Sequence, residues 1–151
     1  MNEIKKRRNL LENMIRIEER DMESAKSENR QARQALNQME RYVAAAQKSV
    51  SEIEHLIRGA FNSNSILSLD ELQSRRIYLA HQRTQLVEHL VRKSHAEKMV
   101  ERIGARLAEK QKKINKLREM LGDVAKRMRQ SEEKIIHKEN DEQWIQSQGR
   151  K

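Results

Sequence analysis

Histidines stand at positions 55, 81, 89, 95 and 137, and they are the side chains best suited to hold a metal or move a proton. His81 and His89 share one side of a helix but sit about two turns apart, too far to grip one ion. No HExxH pattern occurs, so the spacing predicts exposed helical histidines rather than ligands. The acidic pairs Glu18-Glu19, Glu132-Glu133 and Asp141-Glu142 lie among lysines and arginines. They read as solvated faces and helix salt bridges rather than as general acids and bases. There is no glycine-rich phosphate loop and no nucleophile elbow. Cysteine is absent, which removes thiol chemistry, disulfides and cysteine zinc sites. The expectation is a protein with no catalytic residues, no cofactor and no metal.

Charge is the other chemical resource. The formal net charge is +9, and it is uneven: from Arg102 to Arg129 there are ten Lys or Arg against three Asp or Glu. A basic helix of this kind meets nucleic acid, an anionic membrane or an acidic protein, or is simply a solvated face. The run Glu28-Asn29-Arg30-Gln31-Ala32-Arg33 resembles in part the basic region of leucine-zipper DNA readers. However, Asn29 and Ala32 fall on the apolar seam described below, whereas a reading helix must leave its partner to enter the groove. With one Trp, two Tyr and one Phe, base stacking has little to work with. Salt-sensitive nonspecific binding is the most that nucleic acid is expected to show. No apolar run approaches the roughly 20 residues that span a bilayer. The basic start, Met1 to Arg8, leads into no apolar signal segment, so a soluble intracellular protein is expected.

The elements that would carry these groups are written in two apolar stripes. Stepping by 4 and then 3 from Ile4 to Ala60, fourteen of seventeen positions are apolar, with Arg8, Glu18 and Asn29 interrupting. Stepping by seven from Leu72 to Ile135, nine of ten are apolar, with Lys93 interrupting. Only helices wound around one another need a seam kept at about 3.5 residues per turn for so long. Charged and hydrophobic residues are each 36% of the chain, and there is no Pro. That supply of apolar residues serves one seam rather than a globular core.

The stripes break at Gly59 to Ser68, where Gly and Asn suit the end of a helix and the small polar run reads as a loop. Ser68 reads as an N-cap with Glu71 completing a capping box, and Leu67 with Leu72 as a hydrophobic staple. The predicted fold is all-α: one long two-helix antiparallel coiled-coil hairpin with a longer second helix. Its first helix covers about 4–60, the loop about 61–68, the second helix about 69–143, and a frayed tail 144–151. Folding about Asn64 sets Ile57 against Leu72, Val50 against Leu79 and Ile15 against Ile114. It also sets Ala25 against Gly104, as a close approach of small residues, and Arg76 and Arg83 against Ile53 and Ala46. Ile4 then lies opposite Ala125, which leaves the end of the second helix unpaired. The companion residues Ile103, Leu117 and Val124 widen its apolar face, as if for a third surface or a second copy. Trp144 either docks a partner or packs on its own helix.

A small, basic, cysteine-free hairpin with a longer second helix and both chain ends at its open end resembles the central stalk proteins of type III secretion. These are the flagellar FliJ and virulence-system YscO/SctO proteins. The stretch Asn62-Ser63-Asn64-Ser65-Ile66-Leu67-Ser68-Leu69-Asp70-Glu71-Leu72-Gln73 resembles the family's turn. The resemblance implies a non-catalytic shaft in the bacterial cytoplasm. Its end carrying both termini inserts into a hexameric export ATPase, and the shaft also contacts the export gate at the membrane. Export chaperones are further partners of the family. On this sequence the resemblance makes Arg7, Arg8, Lys126, Arg127 and Arg129 candidate contacts to the ATPase. It makes Tyr42, Leu72, Arg76 and Leu79 candidate contacts to the gate. The alternative is a structural coiled-coil tether or dimeric adaptor.

Overall fold

The computed structural model describes residues 2–62 and 68–149, which form helix α1 (Asn2–Asn62) and helix α2 (Leu69–Gly149). Among these residues there is no strand, and the two helices pack against each other as a hairpin with α2 the longer. Their direction is plain from the contacts: Arg8 meets Met128, Glu18 meets Lys113, Tyr42 meets His89 and Glu54 meets Arg83. Numbers rise on one helix as they fall on the other, so the pair is antiparallel. Contacts divide it into two units, Met1–Ala25 with Arg106–Lys151 and Lys26–Ala105.

The first stripe behaves as its spacing requires. Every position of the 4-then-3 progression from Ile4 to Ala60 is buried or half-buried, including Arg8, Glu18 and Asn29. On α2 the stripe from Leu72 to Met128 is likewise covered, while Ile135 is exposed. The restart is also as expected: the Glu71 N–H donates to Ser68 Oγ at 3.2 Å, and the Leu72 N–H donates to the Ser68 carbonyl at 3.1 Å. Ser68 thus satisfies a donor that the first turn would leave without a partner. Leu67 and Asn64 lie outside the described residues.

Four expectations need correction. The register about Asn64 is off by one step of the heptad. Ile15 shares its core cluster with Leu117, not with Ile114, and Leu11, Val124 and Leu121 belong to the same cluster. Arg76 and Arg83 accordingly stand exposed, and Arg83 pairs with Glu54 instead of covering Ala46. The cause is the second row that a two-helix seam takes from each helix. On α2 this row is Arg75, Gln82, His89, Ala96, Ile103, Lys110, Leu117, Val124 and Ser131, all buried or half-buried. Its early members are polar, so a search for apolar residues passes over them.

For the same reason Ile103, Leu117 and Val124 are not surplus. They are buried members of that row, and no third surface is needed to cover them. Gly104 is exposed, and a Cβ placed there would meet nothing within 4 Å, so it serves no close approach. Finally, α2 runs through Trp144 to Gly149 instead of fraying after Gln143; Arg150 and Lys151 lie outside the described residues. No proline interrupts that segment, and a lone glycine costs a helix only about 1 kcal/mol.

Ile114 is 1% exposed, the most deeply buried large side chain among the described residues. Replacing it with Ala is expected to lower unfolding free energy by about 3 kcal/mol. The same change at exposed Ile135 should stay within about 0.5 kcal/mol. Urea titrations followed by circular dichroism compare the two. Ser68→Ala should cost about 1 kcal/mol in the same assay.

Candidate functional site

In the unit built from Met1–Ala25 and Arg106–Lys151, side chains of opposite sign meet across the helices. Glu18 occupies a seam position and its side chain is 13% exposed. Lys113 Nζ reaches its Oε1 at 2.8 Å and Lys110 Nζ its Oε2 at 3.3 Å. Lys110 also approaches Asp21 at 3.5 Å, and Arg118 Nη2 donates to Glu19 at 2.7 Å. Glu18 and Glu19 are therefore fastened to the opposite helix rather than to neighbours on their own. The hydrogen bond from Lys113 holds the Glu18 carboxyl below its ordinary value of 4.5; burial opposes this and Lys110 adds to it. Glu18 in turn raises Lys113 above its ordinary 10.5.

The candidate ATPase contacts also lie in this unit, and they are not equivalent. Arg7 and Arg127 line one open cavity of about 190 Å³ with Glu3, Ile4 and Val124, so two cations share a groove. Lys126 and Arg129 are exposed on α2. Arg7, Lys126, Arg127 and Arg129 have no ion pair among the described residues. Arg8 differs: it is half-buried on the seam, its Nη1 lies 3.9 Å from the Met128 sulfur, and its Nε is 3.9 Å from Glu12. That Nε is buried without a hydrogen bond, so Arg8 serves packing more than recognition. Leu10, Met14 and Ile17 stand exposed at i, i+4 and i+7 on α1, a short apolar row out of phase with the heptad seam.

In the unit Lys26–Ala105 the candidate gate contacts are scattered. Tyr42 is exposed, accepts a hydrogen bond from Gln38 Nε2 at 2.9 Å, and stacks on His89 with ring centroids 5.6 Å apart. Leu72 and Arg76 line an open cavity of about 210 Å³ with Leu69 and Gln73. Leu79 is 8% exposed and belongs to the core. Leu72 and His89 are about 25 Å apart along α2 at 1.5 Å per residue, so Tyr42 and the Leu72 cavity do not form one site.

His89 departs from the expectation of exposed histidines: it is half-buried, and its Nδ1 is buried without a partner, as is Asn29 Oδ1. His55, His81, His95 and His137 are exposed. No group of His, Asp and Glu able to hold a metal occurs among the described residues. A second row, apolar except for Thr84, runs along α2 out of phase with the seam: Ile77, Ala80, Thr84, Val87 and Val91 are all exposed at alternating steps of 3 and 4. Those steps were legible in the sequence, but the stronger seam stripe masked them. No helix among the described residues is long and apolar enough to cross a membrane.

Glu18, with its lowered carboxyl, stabilises the fold above about pH 4.5, and this contribution fades as pH falls through the folded value. Lys113, with its raised ammonium, contributes below about pH 10.5 and fades as pH rises through its folded value. Glu18→Gln should therefore melt below the unsubstituted protein at pH 7, with a smaller gap at pH 3. An equal gap at both pH values would remove the ion pairs as its source.

No family model matches the chain, and neither curated proteins nor solved structures give a match.

Proposed function

We propose that the chain is a non-catalytic central stalk of a bacterial type III secretion system. In this reading it inserts into the hexameric export ATPase in the cytoplasm and couples it to the export gate. The supporting observation is the way α2 outlasts α1. From Glu132 to Gly149 every residue is exposed, and just before that stretch stand Lys126, Arg127 and Arg129, cations with no ion pair among the described residues, with Arg7 on α1. A helix end with free positive charge suits the polar interior of a protein ring. The gate contact would use the exposed members of its set, Tyr42 and Arg76, with Leu72 at the edge of its cavity. The outward row from Ile77 to Val91 supplies apolar area on the same stretch of α2. Leu79 would contribute only by holding the seam. Export chaperones would bind the chain when it is free of the apparatus.

The stalk reading requires no catalytic group in this chain. Purified protein added to the export ATPase of the same bacterium should stimulate ATP hydrolysis. Joint replacement of Arg7, Lys126, Arg127 and Arg129 by Glu should lower that stimulation by about tenfold, because desolvated charge pairs at an interface are replaced by repulsion. The helical circular dichroism signal should stay unchanged. Absence of stimulation, together with failure to recover the ATPase or gate proteins from a lysate, would leave the coiled-coil tether or dimeric adaptor in its place.

A further inference from the structure

Within the unit built from Met1–Ala25 and Arg106–Lys151, the carboxylates of α1 are drawn toward the seam. Glu18 and Asp21 meet Lys110, Glu18 also meets Lys113, Glu19 meets Arg118 and Glu12 meets Arg8. The outward side of the helix keeps a row free of acid. Lys6, Leu10, Asn13, Ile17 and Arg20 fall at alternating steps of 4 and 3, so they follow one another along one helix face. Met14 borders this row on one side, Asn9 and Arg16 on the other, and all eight residues are exposed. Leu10 and Ile17 are 60% and 58% exposed. Lys6, Arg16 and Arg20 have no ion pair among the described residues. The other two acids of this part of α1, Glu3 and Glu23, lie beyond the ends of the row. The setting is positive as well: residues 2–25 carry six Lys or Arg and six Asp or Glu, and residues 106–131 carry nine against three.

We infer that this face of α1 binds the anionic headgroup surface of a lipid bilayer, with Leu10, Met14 and Ile17 inserted among the headgroups. A helix rests at a bilayer interface when its outward apolar side chains sink to the acyl boundary while Lys and Arg hold the lipid phosphates. Both kinds of group lie here on one side of one helix, with cations at the two ends of the row and apolar and amide groups between. The long stems of Lys6, Arg16 and Arg20 let their charges reach phosphates while Leu10 and Ile17 sit deeper. A nucleic acid would use the cations and leave the apolar side chains in water. A docked helix would need carboxylates placed to match both ends of a three-residue apolar patch. Lipid headgroups move freely in the plane and need no such match. The row is short, about 21 Å from Lys6 to Arg20 at 1.5 Å per residue, so the contact is reversible and depends on charge. It is also peripheral, since no helix among the described residues is long and apolar enough to cross a membrane. The inference does not rest on the stalk reading. If both hold, lipid binding and insertion into an ATPase ring compete for the same stretch of α1.

Sedimentation of the full chain with lipid vesicles tests this. At about 0.1 M salt the chain should bind vesicles of two parts phosphatidylcholine to one part phosphatidylglycerol, and not phosphatidylcholine alone. Raising salt to about 0.5 M should release it, because charges then screen within a few ångströms. Lys6→Gln, Arg16→Gln and Arg20→Gln combined should weaken binding about a hundredfold. Leu10→Ser with Ile17→Ser should weaken it about tenfold. Both variants should keep the helical circular dichroism signal, since none of these residues lies on the seam. Insertion is read directly from Ile17→Trp in a Trp144→Phe background, whose fluorescence should shift to the blue on anionic vesicles. Val87→Trp in the same background should show no shift. Failure to bind anionic vesicles would overturn the inference. So would undiminished binding by the triple Gln variant, or an Ile17→Trp emission that stays unshifted. Undiminished binding by the double Ser variant would also overturn it, and would mark a surface for phosphate alone, as a nucleic acid would use it.

Discussion

Each side chain that α1 and α2 remove from water has one shelter, the opposite helix. A globular core surrounds its residues with several layers. A two-helix seam offers two rows from each partner and nothing behind them. Apolar burial is therefore confined to those rows, and a deeply buried residue such as Ile114 is rare. Polar residues can enter the rows because water is never more than one side chain away. Arg8, Glu18, Lys93 and Lys110 all occupy seam positions, half-buried, with their charged ends near the surface.

That constraint explains why specificity is carried by charge. Apolar residues repeating every heptad fit several registers almost equally, since a slide of seven residues sets the same kinds of side chain together. A carboxylate held by Lys113 and Lys110, or Glu54 held by Arg83, fits one register only. Sliding the helices would leave Glu18 partly buried without its ammonium partners, and a half-desolvated charge without a partner is costly. Within the other unit, Asn29 and His89 each bury a polar atom that lacks a partner, so that stretch of the seam gives up stability at those two positions.

The same narrowness makes the outer faces available for recognition. Neither helix has a second layer to cover an apolar row pointing away from the seam. Leu10, Met14 and Ile17 on α1, and Ile77, Val87 and Val91 on α2, therefore stay in contact with water. Exposed rows of this spacing suit the docking of another helix.

The sequence by itself determined that two long helices form, that they pair through heptad seams, where the second begins and that it is the longer. Those features follow from local spacing and from the Ser68 cap, which depend on residues near one another in the chain. The candidate site was legible only in part. The basic residues around Lys126 and Arg7 could be named, but not that Arg7 and Arg127 share a groove while Arg8 packs in the seam. The tertiary structure alone decided the register, because the second row of α2 opens with Arg75, Gln82 and His89, and polarity hides a seam position from any apolar pattern. It alone set Glu18 between two lysines of the other helix. Such outcomes depend on which residues face each other across the hairpin, and a periodic pattern, repeating every seven residues, cannot specify that by itself.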